Sequence, residues 1–243
     1  MAIIGVFGYA GSGKDTVGKL IQYVLSDVAN TPLNEVIEDY KMNEWWLEEM
    51  SSWEIKKWAG KLKYVASLIT GIPIEKFEDQ EFKKTNLGKE WNTFEPYESD
   101  APWIGTGELT EVPMTVRDLL QKLGTEAMRE GLHRNVWVNA LMADYTPTQV
   151  QWSDGPVGGY EDGPMPNWII TDTRFPNEAD AIKNKGGIVV KVERPGVVPI
   201  NSHPSETALE TYNFDYIIHN EGSINDLENK VREFVKTQIF TSL

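Results

Sequence analysis

The strongest constraint on this chain of 243 residues is a glycine-rich turn set between an apolar strand and a helix. Residues 2–7 are apolar and largely β-branched, and residues 13–28 carry helical apolar spacing through Val17, Leu20, Ile21, Val24 and Leu25. Between them runs Gly8-Tyr9-Ala10-Gly11-Ser12-Gly13-Lys14-Asp15-Thr16. Glycines at such a turn let successive backbone N–H groups point inward, and the helix start adds partial positive charge, so the segment suits a phosphate. Gly8, Gly11, Ser12, Gly13, Lys14, Asp15 and Thr16 are therefore candidate ligands of a nucleotide's phosphates, with Lys14 bridging the β- and γ-groups. The strict pattern places Ser or Thr directly after the lysine. Here Asp15 stands there and the hydroxyl is delayed to Thr16, which leaves the direct metal ligand open.

The remaining chain continues an α/β rhythm. Spacing predicts helices near 41–50, 59–70, 115–130, 134–144 and 176–185, and strands at 168–171, 188–193 and 216–219. Ser223 and Asp226 open a final helix with a Ser-x-x-Asp start. Strands alternating with helices imply a mainly parallel sheet covered on both faces, within a single domain over 1–243. The irregular, tryptophan-rich stretch at about 31–113 reads as an inserted acceptor-binding or lid region, its tryptophans as core by default and as base-stacking candidates otherwise. The proline- and glycine-rich stretch at about 146–167 reads as a flexible loop or flap.

Composition narrows the partners. A net charge of −14 argues against affinity for nucleic acid or anionic membrane, since both require basic surface. No apolar run approaches the length of a membrane span, and no basic leader precedes the first strand. The chain has no cysteine, and His133, His203 and His219 are dispersed, which disfavours a thiolate or histidine metal site and fits a cytoplasmic protein.

Only six of the 23 basic residues are arginine: Arg117, Arg129, Arg134, Arg174, Arg194 and Arg232. Arginine is the better bidentate phosphate ligand, so each position is informative. Arg117 and Gln121 lie four apart on a polar helical stripe, followed by Gly124, which permits close approach of a ligand or breaks the helix. Arg129 and Arg134 flank the end of that helix, and Arg232 reads as a solvated surface charge. Arg174 and Asp172 follow a strand end, where open α/β sheets place ligands. Asp172 is accordingly a candidate for Mg²⁺, directly or through water, alongside Asp15 and Thr16. Turn or capping chemistry is its alternative, and Glu178 fits a first helical turn with or without a ligand.

Several segments resemble the phage-type deoxynucleoside monophosphate kinases, within the P-loop nucleotide kinase group. They are Gly8–Thr16, Ala59-Gly60-Lys61-Leu62-Lys63, Val116–Glu126 (Val-Arg-Asp-Leu-Leu-Gln-Lys-Leu-Gly-Thr-Glu) and Asn135–Val138. The series continues with Thr171–Ala179 (Thr-Asp-Thr-Arg-Phe-Pro-Asn-Glu-Ala), Val192–Gly196, His203–Glu206 and Ile218–Gly222. The delayed Thr16 is likewise similar to small-acceptor kinases resembling adenylate kinase. The resemblance implies a P-loop kinase fold, ATP and Mg²⁺ as cofactors, a deoxynucleoside monophosphate as acceptor and, at family level, a homodimer. It places Arg117, Gln121, Arg129 and Lys63 on the acceptor side, and Arg174 near the transferring group. It sets Asn220 and Gly222 beside the donor adenine, with Arg194 and His203–Glu206 bordering the cleft. Lys14, Arg129, Asp172 and Arg174 would be the catalytic set. If the chain is phage-encoded, the host cytoplasm is the expected location. Nothing in 94–113 or 146–167 matches the family.

Two other readings remain open on sequence alone. One is a kinase of another phosphorylated metabolite, similar to dephospho-coenzyme A kinase, and the other is an ATP-dependent switch or binding module. The length of 31–146 and the Leu-Gln-x-Leu-Gly-Thr-Glu helix favour the nucleotide enzyme.

Overall fold

A computed structural model describes residues 3–26, 44–96, 109–154, 157–199 and 207–240. His203, Pro204, Ser205, Glu206 and Trp103 lie outside the described residues, as do the side chains of Trp45 and Trp46.

The chain divides into two compact units, Met1–Trp58 with Val138–Leu243, and Ala59–Trp137. The first is built on a five-stranded, wholly parallel sheet. Its strands are β1 (Ile3–Phe7), β2 (Trp53–Lys56), β7 (Asn167–Ile170), β8 (Ile188–Glu193) and β9 (Tyr216–His219), in the spatial order β2-β7-β1-β8-β9. All five residues of β1 are buried, as a central strand with helices on both faces requires. Successive side chains leave it on opposite sides. Ile4 and Val6 join a core with α1 (Lys14–Val24) and α7 (Ile224–Phe234), including Val17, Leu20, Ile21, Leu227, Val231 and Phe234. Ile3 and Phe7 join the opposite core with Ala179 and Ile182 of α6 (Pro176–Lys183) and Val138 and Leu141 of α5 (Val136–Met142). The close approach of α1 to β7 depends on Gly18, where a Cβ would run into the methyl group of Thr171.

The topology positions the site. From β1 the chain passes to β2 at one edge of the sheet, whereas from β7 it crosses to β8 on the other side of β1 and goes on to β9. Connections thus diverge around β1, and open parallel sheets bind ligands outside the carboxyl ends at such a point. In the same unit α2 (Glu44–Met50) precedes β2.

The second unit holds α3 (Trp58–Thr70, its first residue in the first unit), an antiparallel pair β3 (Thr93–Pro96) and β4 (Leu109–Val112), and α4 (Val116–Gln121). Ala66, Phe77, Val116 and Leu119 form its buried centre. The insertion expected at about 31–113 thus shares only residues 59–113 with this unit. Two local expectations are refined. The helix foreseen over 115–130 is α-helical only to Gln121 and widens into a π-helix over Lys122–Glu130. The stretch 146–167 carries an antiparallel hairpin, β5 (Gln149–Asp154) with β6 (Val157–Asp162), in which Trp152 faces Gly159 across the strands. A bare glycine opposite an aromatic lets the ring lie over the backbone, which holds a strand pair that Pro and Gly would otherwise weaken.

Candidate active site

The glycine turn leaves β1 and enters α1 through two residues in the left-handed region, Gly11 (φ +84°) and Gly13 (φ +90°). A side chain at either position would be strained. Gly13 is the N-cap and supplies no side chain to the first-turn N–H groups of this 11-residue helix. Ser12 is buried, its N–H donates to Tyr9 O at 3.0 Å, and its Oγ has no hydrogen-bond partner among the described residues. An uncapped helix start beside an orphaned buried hydroxyl fits an anion. Lys14 follows with a largely buried side chain, its Nζ 3.6 Å from the carboxylate of exposed Asp15, and Thr16 is exposed on the same turn.

Other strand ends deliver the remaining side chains of this unit. Beyond β7, Asp172 Oδ1 accepts the N–H of Trp58 (2.8 Å) and Thr173 Oγ1 accepts the indole N–H of Trp58 (3.3 Å). Asp172 therefore caps the start of α3, a capping role on a different helix from the one its sequence position suggests. Arg174 follows, half-buried, and its backbone N–H donates to Glu178 Oε2 at 2.7 Å, as does that of Phe175 at 3.1 Å. Glu178 is thus a buried structural cap at the start of α6. Beyond β8, Arg194 Nη1 reaches Gly11 O at 3.3 Å, and beyond β9, Asn220 Nδ2 donates to Ser12 O at 2.8 Å. A Cβ on Gly222 would lie 2.6 Å from the Asp226 carboxylate, so this glycine accommodates the Ser223–Asp226 capping box of α7.

A cavity of about 280 Å³ opens beside the glycine turn at the carboxyl ends of β1, β8 and β9, between Tyr9, Ser12, Val192, Arg194, Val197 and His219. Lys191 and Glu193 also line it, with Lys191 Nζ 2.6 Å from the Glu193 carboxylate. Lys191 and Glu193 were given no role of their own from sequence, because it is the pairing of β8 with β1 that brings them beside the turn. Among the described residues, no three acidic or histidine side chains gather as a ready metal cage.

In the second unit, Arg117 and Gln121 are exposed on α4, four residues apart, and Arg129 lies in the π-helical stretch. Asp118 is engaged elsewhere: its Oδ2 accepts from Thr115 N (3.0 Å) and Thr115 Oγ1 (2.6 Å) in a capping box. These bonds hold its carboxyl below the ordinary aspartate range, the Thr115 hydroxyl contributing most. Lys63 is buried and ion-paired to Glu78 at 2.5 Å. Gly124 has a packing role, since its carbonyl accepts the Trp137 indole N–H at 2.9 Å and a Cβ would lie 2.9 Å from Leu62 Cδ2. Arg232 pairs with Glu228 at 2.7 Å and lies over the Tyr23 ring.

The parallel sheet with flanking helices makes this an α/β protein, consistent with a P-loop kinase fold. A sequence model of the deoxynucleotide monophosphate kinases matches residues 74–231, more than half of the chain, and the chain belongs to that family. An Acanthamoeba polyphaga mimivirus protein, provisionally named a deoxynucleotide monophosphate kinase, is 30% identical over 55% of this chain and 70% of its own length. The deoxynucleotide monophosphate kinase of Enterobacteria phage T4 is 32% identical over 50% of this chain and 46% of its own. The deoxynucleoside-5′-monophosphate kinase of Escherichia phage T5 is 25% identical over 98% and 97%. No helix among the described residues is long and apolar enough to cross a membrane.

Proposed function

We propose that this chain transfers the γ-phosphoryl group of ATP to the phosphate of a deoxynucleoside monophosphate, giving the diphosphate and ADP. The observation that carries the reading is where the uncapped glycine turn sits in a chain of this family: at the carboxyl edge of a parallel sheet, with Asp172 and Arg174 beyond the neighbouring strand. The family supplies the acceptor class, and the turn, which precedes the matched residues 74–231, supplies a separate argument for the donor phosphates.

The chemistry asks little of proton transfer. An acceptor phosphate oxygen, ionised at neutral pH, attacks the γ-phosphorus as the bond to the β,γ-bridging oxygen breaks, and ADP leaves with that electron pair. The barrier lies in bringing two anions together, so cations and alignment dominate. In this assignment Gly8, Gly11, Ser12, Gly13, Lys14 and Thr16 hold the donor phosphates, and the cavity beside the turn takes the adenosine part, near Asn220. Arg174 and Arg129 offset charge on the transferring group, while Arg117, Gln121 and Lys63 hold the acceptor. Mg²⁺ would be held by Thr16, Asp15 or Asp172, directly or through water, and would neutralise phosphate charge. A set of one or two protein oxygens suits Mg²⁺, which keeps waters and takes substrate phosphates. The unit Ala59–Trp137 is assigned the acceptor lobe.

A panel of the common dNMPs and NMPs with ATP and Mg²⁺, followed by diphosphate formation, tests the reading. Turnover of at least one dNMP above its matched NMP, with none on unphosphorylated nucleosides, is expected. ATP hydrolysis indifferent to every monophosphate would replace it with the switch reading.

A further inference from the structure

We propose that Asn220 is a positioning residue that locks the glycine turn into its anion-binding form, acting through the backbone of Ser12 and Gly13. The inference rests on the reading of that turn as the donor phosphate site.

A trans peptide is planar, so the carbonyl of one residue and the N–H of the next point in opposite directions. Asn220 Nδ2 holds the Ser12 carbonyl at 2.8 Å, which aims the Gly13 N–H to the opposite side of the turn. The preceding peptide is fixed at both ends: Arg194 Nη1 takes the Gly11 carbonyl at 3.3 Å, and the Ser12 N–H goes to Tyr9 O at 3.0 Å. Two successive carbonyls of the turn are thus drawn outward by side chains from the ends of β8 and β9.

Asn220 is itself well anchored. Its N–H donates to Glu193 O at 2.7 Å, one step beyond the Glu193–His219 pairing of β8 with β9, so the sheet sets where its side chain begins. The contact also requires glycine at position 13, for a Cβ there would stand 2.5 Å from Asn220 Nδ2. Gly13 is therefore constrained twice, by its positive φ and by the strap. The bond to Ser12 O gives the Asn220 side chain a role in shaping the loop, in addition to the adenine-side position the resemblance implies. Aspartate is the informative replacement. It has nearly the same shape but no donor, and its negative charge would face the Ser12 carbonyl oxygen.

The test uses the full chain with Asn220→Asp and Asn220→Ala. Hydrogen exchange over residues 8–16 is followed without nucleotide, ATP affinity is measured directly, and KM is determined for ATP and for the dNMP. Both variants are expected to exchange roughly 10-fold faster over residues 8–16 while other segments keep wild-type rates. KM for ATP should rise about 10-fold with that for the dNMP little changed, and Asn220→Asp should be the more affected variant. Wild-type exchange over residues 8–16 in both variants would overturn the strap, as would acceleration spread evenly along the chain. Exchange is read without nucleotide, so a wild-type chain that fails to bind ATP would refute the donor-site reading and leave the strap to be judged on exchange alone.

Discussion

Glu178 accepts the backbone N–H of Arg174 through a single buried carboxylate oxygen at 2.7 Å, fixing the turn that leads from β7 into α6. The same oxygen accepts from Phe175 at 3.1 Å, so the residue proposed to act on the transferring phosphoryl group begins from a backbone tied at two successive N–H groups. Positioning of this kind matters because misplacement of a reacting group by an ångström can cost about 100-fold in rate.

Replacing Glu178 by alanine leaves two N–H groups without their acceptor. We expect a loss of about 1–3 kcal/mol of stability, whereas Glu178→Gln, which keeps an acceptor oxygen, costs less. Denaturant unfolding of the two variants decides the point, and equal stability of Glu178→Ala and the wild type would show the cap to be dispensable.

The two best-placed arginines should separate kinetically. Arg174 follows a strand end and is assigned to the group in flight, so Arg174→Ala should lower kcat and kcat/KM together. Arg117 is assigned to the resting phosphate of the acceptor, so Arg117→Ala should chiefly raise KM for the dNMP with that for ATP less affected. Each lost charge-assisted contact is worth roughly 1.5–3 kcal/mol, or about 10- to 150-fold. Wild-type kinetics for both substrates in both variants would refute the cationic site.

Asp118 gives an acid-dependent signature. Its carboxyl is depressed in the folded state, first by the Thr115 hydroxyl and then by the Thr115 N–H, with Lys122 and Arg117 adding attraction. A depressed carboxyl contributes stability that is complete above its unfolded value, about 3.9, and is lost as pH falls through the lower folded value. Amide exchange in α4 should therefore be faster in Asp118→Asn than in the wild type at pH 7, and the two should converge in the window below about pH 3.9. A difference that persists undiminished after the wild-type group has protonated would contradict this origin.

Local pattern made much of this molecule legible. The strand Ile3–Phe7, the glycine turn and α1 are specified within about 20 residues, and Ser223 with Asp226 marks the last helix in four. What stayed hidden depends on distant neighbours. Asn220 and Ser12 are 208 positions apart, and no spacing rule connects them before the strand order is known. Gly124 could be read as an opening for a ligand until Leu62 and Trp137 were seen filling the space. The hairpin at 149–162 was obscured because Pro and Gly signal a loop, while its stability comes from cross-strand register. The described tryptophans of the first unit divide by the same logic: Trp53, Trp58 and Trp168 are buried in the cores, and Trp152 is partly exposed on the hairpin.

The central claim is direct phosphoryl transfer, and γ-labelled ATP tests it most directly. With a dNMP accepted in the panel, label should pass stoichiometrically into the β-position of the dNDP, with little released as inorganic phosphate. Lys14→Ala, folded but lacking the cation assigned to the β- and γ-phosphates, should lower that transfer by at least roughly 100-fold. Label appearing chiefly as inorganic phosphate, or a folded Lys14→Ala chain that transfers it at the wild-type rate, would contradict the account.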